Sequence, residues 1–352
     1  MRVAVAGAGY FARFHFDAWA RLPVTLVGAA ALDEAGVPDG VAWYRNLALM
    51  LDELRPDILD IVTPPATHAP FIALAAERGI DVICQKPFCG DLATARAAVA
   101  RAQGAGIRLL VHENFRFQPW YAAMADTIAA GRLGPVYQAT LRLRPGDGQG
   151  PDAYAARQPY FRSMERFLVH ETLVHHVDVA RYLLGEVTAV QADLRRINPA
   201  IAGEDAGLVI MTHAQGARSL LDGNRLADHA SDDPRRTLGE ATVEGGAGTL
   251  ALDGAGTLGL RRHGRREVEP VAFEWADRAF GGDCVFLTCR AALDHLAHGA
   301  PFANTGRAYL INLAIEAAIY RAHESGCRQT LETEADADAG TTPGLSGGTE
   351  RS

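Results

Sequence analysis

The chain is almost without lysine. Of its 34 basic residues 33 are arginine, and the one ammonium is Lys86. Guanidinium is planar and keeps its charge, whereas an ammonium is compact, donates in three directions and can lose its proton when desolvated. A lone lysine in an arginine background therefore points to a task that arginine cannot perform. Long apolar runs are missing too. None approaches the roughly 18 to 20 residues that a spanning helix needs, so no membrane segment is expected. The opening Met1-Arg2-Val3-Ala4-Val5-Ala6-Gly7 is too short in apolar residues for a secretory signal, which makes the cytoplasm the expected location. The five cysteines (Cys84, Cys89, Cys284, Cys289, Cys327) are scattered and form no CxxC pair. That excludes zinc ribbons and dithiol centres, and small buried hydrophobes are expected instead. An excess of basic charge is also absent. With 42 acidic residues against 34 basic ones and a net charge of -8, the chain lacks the footprint that neutralises phosphates, so nucleic acid is not an expected partner.

What is present fits two globular domains. A chain of 352 residues exceeds one ordinary α/β core. Residues 2–6 read as a buried strand, followed by Gly7-Ala8-Gly9-Tyr10-Phe11-Ala12 and a helix to about Arg21. This is the dinucleotide-binding pattern GxGxxG/A. Gly7 allows the tight turn, Gly9 admits a pyrophosphate, and Ala12 lets the helix pack on the strand, with Tyr10 and Phe11 at the helix start. Strands at 24–30, 57–63, 80–84 and 107–111 then alternate with helices near 46–54, 68–78 and 91–104. That alternation predicts a doubly wound parallel sheet. Ligands bind beyond the carboxyl ends of such strands. Gln85-Lys86-Pro87 falls at that edge, as do Thr63-Pro64-Pro65 and His68.

After about residue 120 strand-like stretches follow one another with Gly, Asp and Asn turns and few helices: 136–144, 187–197, 206–213, 217–222, 237–243, 248–253 and 256–261. Consecutive strands predict an open, mainly antiparallel sheet in an α+β domain. Segment 145–166, rich in Pro, Gly and Arg, is long enough for a substrate loop. Two helices are expected at 280–298 and 306–325. The expected division is 1–120 for the cofactor domain, 121–331 for a substrate and oligomerisation domain, and a disordered tail at 332–352, where apolar residues are scarce.

Residues 167–185 read as one helix ending at Gly185. At 3.6 residues per turn Glu171, His175 and Asp178 share a face. His170 stands about 140° away from His175, so the zinc-protease spacing HExxH is not met and no metal is expected. A carboxylate one turn from an imidazole suits acid/base work, with Glu171 orienting His175. A solvated pair on an exposed helix face is the plainer alternative.

Together these motifs resemble the glucose-fructose oxidoreductase / inositol dehydrogenase / MocA family. The likeness runs from Gly7-Ala8-Gly9 through Thr63-Pro64-Pro65, Gln85-Lys86-Pro87 and His175 to Thr305-Gly306-Arg307. It implies a Rossmann domain plus an open mixed sheet, oxidation of a sugar or polyol by a nicotinamide cofactor, and catalytic roles for Lys86 and His175. His175 is taken as the base and Lys86 as the charge that favours the alkoxide, the reverse assignment being open. A homo-oligomer, dimer or tetramer, is expected. This chain has Gln85 where the family usually has Glu, and Glu171 where it usually has Asp. At the adenosine ribose the expected acid is replaced by Ala31, with Asp33 two further on; NAD is favoured and NADP is left open. Finer likeness, in His112 to Tyr121, Arg157 to Phe161 and Asp222 to Arg225, is to D-apiose dehydrogenases. It marks Asn114, Arg116, Trp120, Arg157 and Tyr160 as substrate candidates and implies oxidation of an aldose to its lactone. An NAD-using glycosidase of the same fold and a non-catalytic sugar sensor are the alternatives.

Overall fold

The computed structural model describes residues 1–156 and 158–331. The tail expected to be disordered lies outside them, as does Arg157.

The chain begins with β1 (Arg2–Ala6), the glycine turn and α1 (Ala12–Ala20), then β2 (Thr25–Ala30), β3 (Ala42–Tyr44) and α2 (Leu47–Leu54). It continues through β4 (Ile58–Ile61), α3 (His68–Ala76), β5 (Asp81–Gln85), α4 (Leu92–Gly104) and β6 (Leu109–His112). The six strands form a parallel sheet in the order β3-β2-β1-β4-β5-β6. The direction of winding switches between β1 and β4, and the turns beyond β1, β4 and β5 therefore face one another there. Asn46 and Asp91 accept the N–H groups of Leu49 and Thr94 and so start α2 and α4. Gly7, at φ +114, is obligatory for a second reason: an added Cβ would lie 2.4 Å from the Val62 carbonyl oxygen.

Past this sheet comes a helix that the sequence reading did not foresee, α5 (Pro119–Ala129). Pro119 looks like a breaker, but at the first helical position its missing N–H costs nothing. Trp120, Tyr121, Ala123, Met124 and Thr127 then bury one face. Next are β7 (Val136–Leu143), a π-helical turn at Leu168–Leu173 and α6 (Val174–Leu184). The remaining strands are β8 (Val187–Arg195), β9 (Ala206–His213), β10 (Arg218–Asn224), β11 (Gly239–Gly245), β12 (Gly248–Leu252), β13 (Leu258–Arg262) and β14 (Val268–Val271). After α7 (Cys284–His298) and α8 (Gly306–Ser325), the short β15 (Gln329–Thr330) closes the described chain. The second sheet runs β14-β13-β12-β11-β7-β10-β9-β8-β15 and is antiparallel except where β7 meets β10. One face carries α5, α6 and α8 over a core that includes Leu141, Val177, Val209, Leu221, Leu250 and Ile319.

Chain order is not spatial order. Cys284, Val285, Cys289, Leu293 and Leu296 of α7 pack with Phe16 and Trp19 of α1 and with Val3, Val5 and Ile83 of the first sheet. Tyr309 and Leu313 of α8 join the core on Leu59, Ile61 and Val82. Residues from the 121–331 segment thus complete the core of residues 1–120. Four cysteines are buried as expected, but Cys327 is exposed beyond α8.

Candidate active site

The glycine turn, the Thr63–Pro65 turn and Gln85-Lys86-Pro87 line a cleft of about 460 Å³. Asn114, Phe115, Thr172, Glu171, His175 and Arg225 line it too, as do Pro145–Asp147 and Gln158–Phe161. The volume and the few convergent polar groups are those of a small-molecule site.

Lys86 leaves β5 with its N–H on its neighbour's side chain, Gln85 Oε1, at 2.8 Å. Gln85 Nε2 in turn stands 3.0 Å from His15 Nε2 and 3.4 Å from His112 Nδ1. The Lys86 ammonium donates to Glu171 Oε1 at 2.7 Å and to the Glu171 carbonyl at 2.8 Å. Burial pushes the Glu171 carboxyl upward, but Lys86 and Arg225 together hold it below its ordinary value. Its other oxygen accepts from Thr172 Oγ1 at 2.7 Å, and Arg225 donates to that hydroxyl at 2.6 Å. Arg225 is itself buried, paired with Asp147 at 2.8 Å, and lies over the rings of Tyr154, Phe161 and Phe167. The segment carrying Asp147 is thereby tied to the residue that follows β10.

The expected helix over 167–185 opens with the π turn, which alters one reading. A π turn bonds i to i+5, so residues four apart no longer stand one above the other. Glu171 reaches Lys86, and the group on His175 is Glu113, whose Oε1 makes a very short hydrogen bond to Nδ1. The carboxylate bonded to His175 is Glu113, and Glu171 is bonded to Lys86 instead. Burial and then the nearby Lys86 push the His175 imidazole well below its usual pKa. His170 turns to Glu316 at 2.8 Å.

Other sequence candidates separate. Gly9, Tyr10, Phe11, Thr63, Pro64, Gln85 and Lys86 line the cleft. Ala12 and Gly7 shape the turn from below it. His68 does not line it: its buried ring bonds the Thr63 carbonyl at 2.8 Å and braces that turn. Asp33 is exposed in the turn after β2, with its carboxylate on the Ala35 N–H at 3.0 Å. Among the substrate candidates Asn114 and Tyr160 face the cleft. Asn114 is 1% exposed and its Oδ1 has no protein partner, which leaves an acceptor for a ligand. Arg116 and Trp120 do not reach it. Arg116 is held by Asp178 through bonds of 2.6 and 2.7 Å and borders a separate groove. Trp120 is fully buried, with its N–H on Gln118 Oε1 at 2.7 Å and its ring edge-on to Trp275. Amphipathic residues in one motif were sorted by their buried partners, which the sequence does not display. Glu113 and Arg225 were not expected at the site, although both fall in the finer likeness noted above.

His15, His112 and Cys289 bring donor atoms within 4.8 Å of one another. Their hydrogen bonds are already occupied by Asp60, Gln85 and each other.

Residues 1–113 match the family model described as an oxidoreductase family with an NAD-binding Rossmann fold (GFO_IDH_MocA), and residues 121–251 match the corresponding C-terminal domain. The chain belongs to the Gfo/Idh/MocA family of oxidoreductases. A D-apiose dehydrogenase from Paraburkholderia graminis is 35% identical over 97% of this chain and 93% of its own. A second D-apiose dehydrogenase, from Rhizobium rhizogenes, is 28% identical over 93% and 96%. An oxidoreductase from Agrobacterium radiobacter, solved with NAD+, L-tartaric acid and magnesium, superimposes with a TM-score of 0.84 at 26% identity, covering 94% of this chain and 98% of that one.

NAD fits the residues present. Gly9 lines the cleft and has nothing within 4 Å of where a Cβ would stand, so the backbone is open to a phosphate. The N-terminus of α1 follows directly.

Proposed function

We propose that the chain is an NAD-dependent sugar dehydrogenase in which Lys86 and His175 act on the hydroxyl being oxidised. The observation that carries this reading is the convergence of the one lysine and an imidazole on the cleft that also contains the glycine turn. When bound there, NAD accepts the hydride. His175 Nδ1 is engaged by Glu113, which leaves Nε2 to receive the hydroxyl proton. The Lys86 ammonium, anchored on Glu171, favours the developing alkoxide. Asn114, Tyr160 and Thr172 supply the polar contacts a polyol needs. The two apiose-oxidising relatives make D-apiose, oxidised at the anomeric carbon to a lactone, the substrate of choice.

The test is a panel of D-apiose, other pentoses, hexoses and inositols with NAD and NADP, read by nicotinamide absorbance. The expected result is reduction of NAD, fastest with D-apiose. No reduction with any free sugar, together with cleavage of glycosides, would replace this reading by the NAD-using glycosidase. Lys86→Arg should lose at least about 100-fold in kcat/KM, about 2.7 kcal/mol of barrier, with NAD affinity kept. Retention of a tenth of the activity would remove Lys86 from the chemistry.

We also read the chain as a cytoplasmic homo-oligomer. Leu208 and Ile210 project from β9, 48% and 44% exposed, on the sheet face opposite the helices, as a covered face would. Sedimentation giving a monomer at working concentration would sink that reading.

A further inference from the structure

Glu113 follows β6 and is completely buried. Its Oε1 makes the short bond to His175 Nδ1, and its Oε2 accepts from the Tyr309 hydroxyl of α8 at 3.0 Å. The Phe115 N–H adds a longer contact of 3.3 Å to Oε1. The Phe115 ring lies parallel to the imidazole, 3.8 Å away at 2° between planes, and keeps it from rotating. One buried carboxylate is thus clamped between a cleft histidine and a tyrosine nearly two hundred residues further along the chain.

We propose that Glu113, braced by Tyr309, is a positioning residue for the oxidation, fixing His175 with its proton on Nδ1 and its Nε2 lone pair toward the substrate hydroxyl. The inference rests on reading His175 as the base. A neutral imidazole carries its proton on either nitrogen, and only the Nδ1–H form can accept at Nε2. An ionised carboxylate at Nδ1 selects that form. It also offsets the positive charge that arrives with the substrate proton, a large effect where water is excluded.

The neighbouring charges leave this role to Glu113. Lys86, Glu171, Asp178, Arg116, His176 and Tyr309 face the pair from β5, the π turn, α6, the turn after β6 and α8. Lys86 is already bound to Glu171 and Arg116 to Asp178. His176 stays neutral, its pKa lowered to about 3 by burial and then by His175. Burial lifts Glu113 itself to about 7. Near neutrality the His175–Glu113 pair therefore gains or loses one proton as a unit. With the proton off, Nε2 is open; with it on, Nε2 is filled. The acid limb of the rate profile reports that step.

The experiment compares Glu113→Gln, Glu113→Asp and Tyr309→Phe with His175→Ala in the full chain. A glutamine can present its N–H₂ to Nδ1 and so select the wrong tautomer. Glu113→Gln should lower kcat by on the order of 100-fold or more, leave KM for NAD within about twofold, and move the acid limb to lower pH. Glu113→Asp should recover part of the rate, and Tyr309→Phe should lose less than about tenfold. A folded Glu113→Gln with near-normal kcat and an unmoved limb, beside an inactive His175→Ala, overturns the proposal alone. An active His175→Ala overturns the reading of the base on which it stands. If Glu113→Gln does not fold, an unmoved limb in both Glu113→Asp and Tyr309→Phe overturns it equally.

Discussion

His15 and Asp60 meet at 2.7 Å between α1 and β4, and His175 and Glu113 meet in a shorter bond at the cleft. Both carboxylates are fully buried, yet their pKa values shift in opposite directions. Asp60 is pushed up by burial, but His15, His112 and the Trp19 N–H at 2.6 Å together hold it below its ordinary value. Glu113 has a tyrosine hydroxyl and a long backbone contact beside its imidazole, and burial prevails. The strength and charge of the donors, more than depth, decide which way a buried carboxylate shifts. The one left near neutrality is the one beside the cleft. The Asp60 pair instead presents its imidazole to Gln85 and holds the strand end that carries Lys86.

The largest expected break in this comparison is acid. His68 is held at about 4 and His112 and His176 at about 3 by burial, against an ordinary 6.5. Between pH 6.5 and about 4 the unfolded chain binds more protons at these three groups, so stability falls as pH falls, by about 1.4 kcal/mol per unit for each. Glu113 works the other way: raised from 4.5 to about 7, it binds its proton in the fold, and its contribution is lost as pH rises through that window. Three groups outweigh one. Urea unfolding should show stability dropping from pH 7 to 5, more steeply in Glu113→Gln. A flat profile would mean that these imidazoles are not held neutral.

Next in size is Asp60→Asn. It weakens two buried hydrogen bonds and should cost about 2 to 3 kcal/mol of unfolding free energy, while kcat measured well below the melting point stays within about threefold. Loss of turnover at unchanged stability would put Asp60 in the chemistry and erase the contrast between the pairs. Glu171→Gln should be milder than either base-side change, at about tenfold in kcat/KM, because Lys86 keeps the Glu171 carbonyl as an acceptor. A hundredfold loss would make Glu171 the orienting group after all. The smallest effect is expected at the turn after β2, where Ala31→Asp should sharpen preference for NAD over NADP by about tenfold through repulsion of the 2′-phosphate. Tighter binding of NADP than NAD by the wild type would reverse that expectation.

Much of the first sheet was legible because its signals are local: the glycine turn, the alternation of strand and helix, and a lysine whose rarity marked it. The second sheet was legible from consecutive short strands. The short edge strands β3, β14 and β15 were not, being too brief to show a period. The Glu113 contact hid because its partner lies 62 residues away and nothing near Glu113 announces it. Glu171 misled because 3.6-residue spacing does not hold through a π turn. Arg116 and Trp120 misled because exposure of a motif side chain depends on what packs over it, here Asp178 and Trp275.

The scarcity of lysine has a practical side as well. Apart from the terminal amine, an acylating reagent meets a single primary amine in the whole chain, and its side chain is 12% exposed within the cleft. The other cations are guanidinium groups, which such reagents spare. Beyond the increment at the terminal amine, intact mass would then count open clefts, one acyl increment for each, and a ligand that fills the cleft would suppress that increment without altering the rest of the surface.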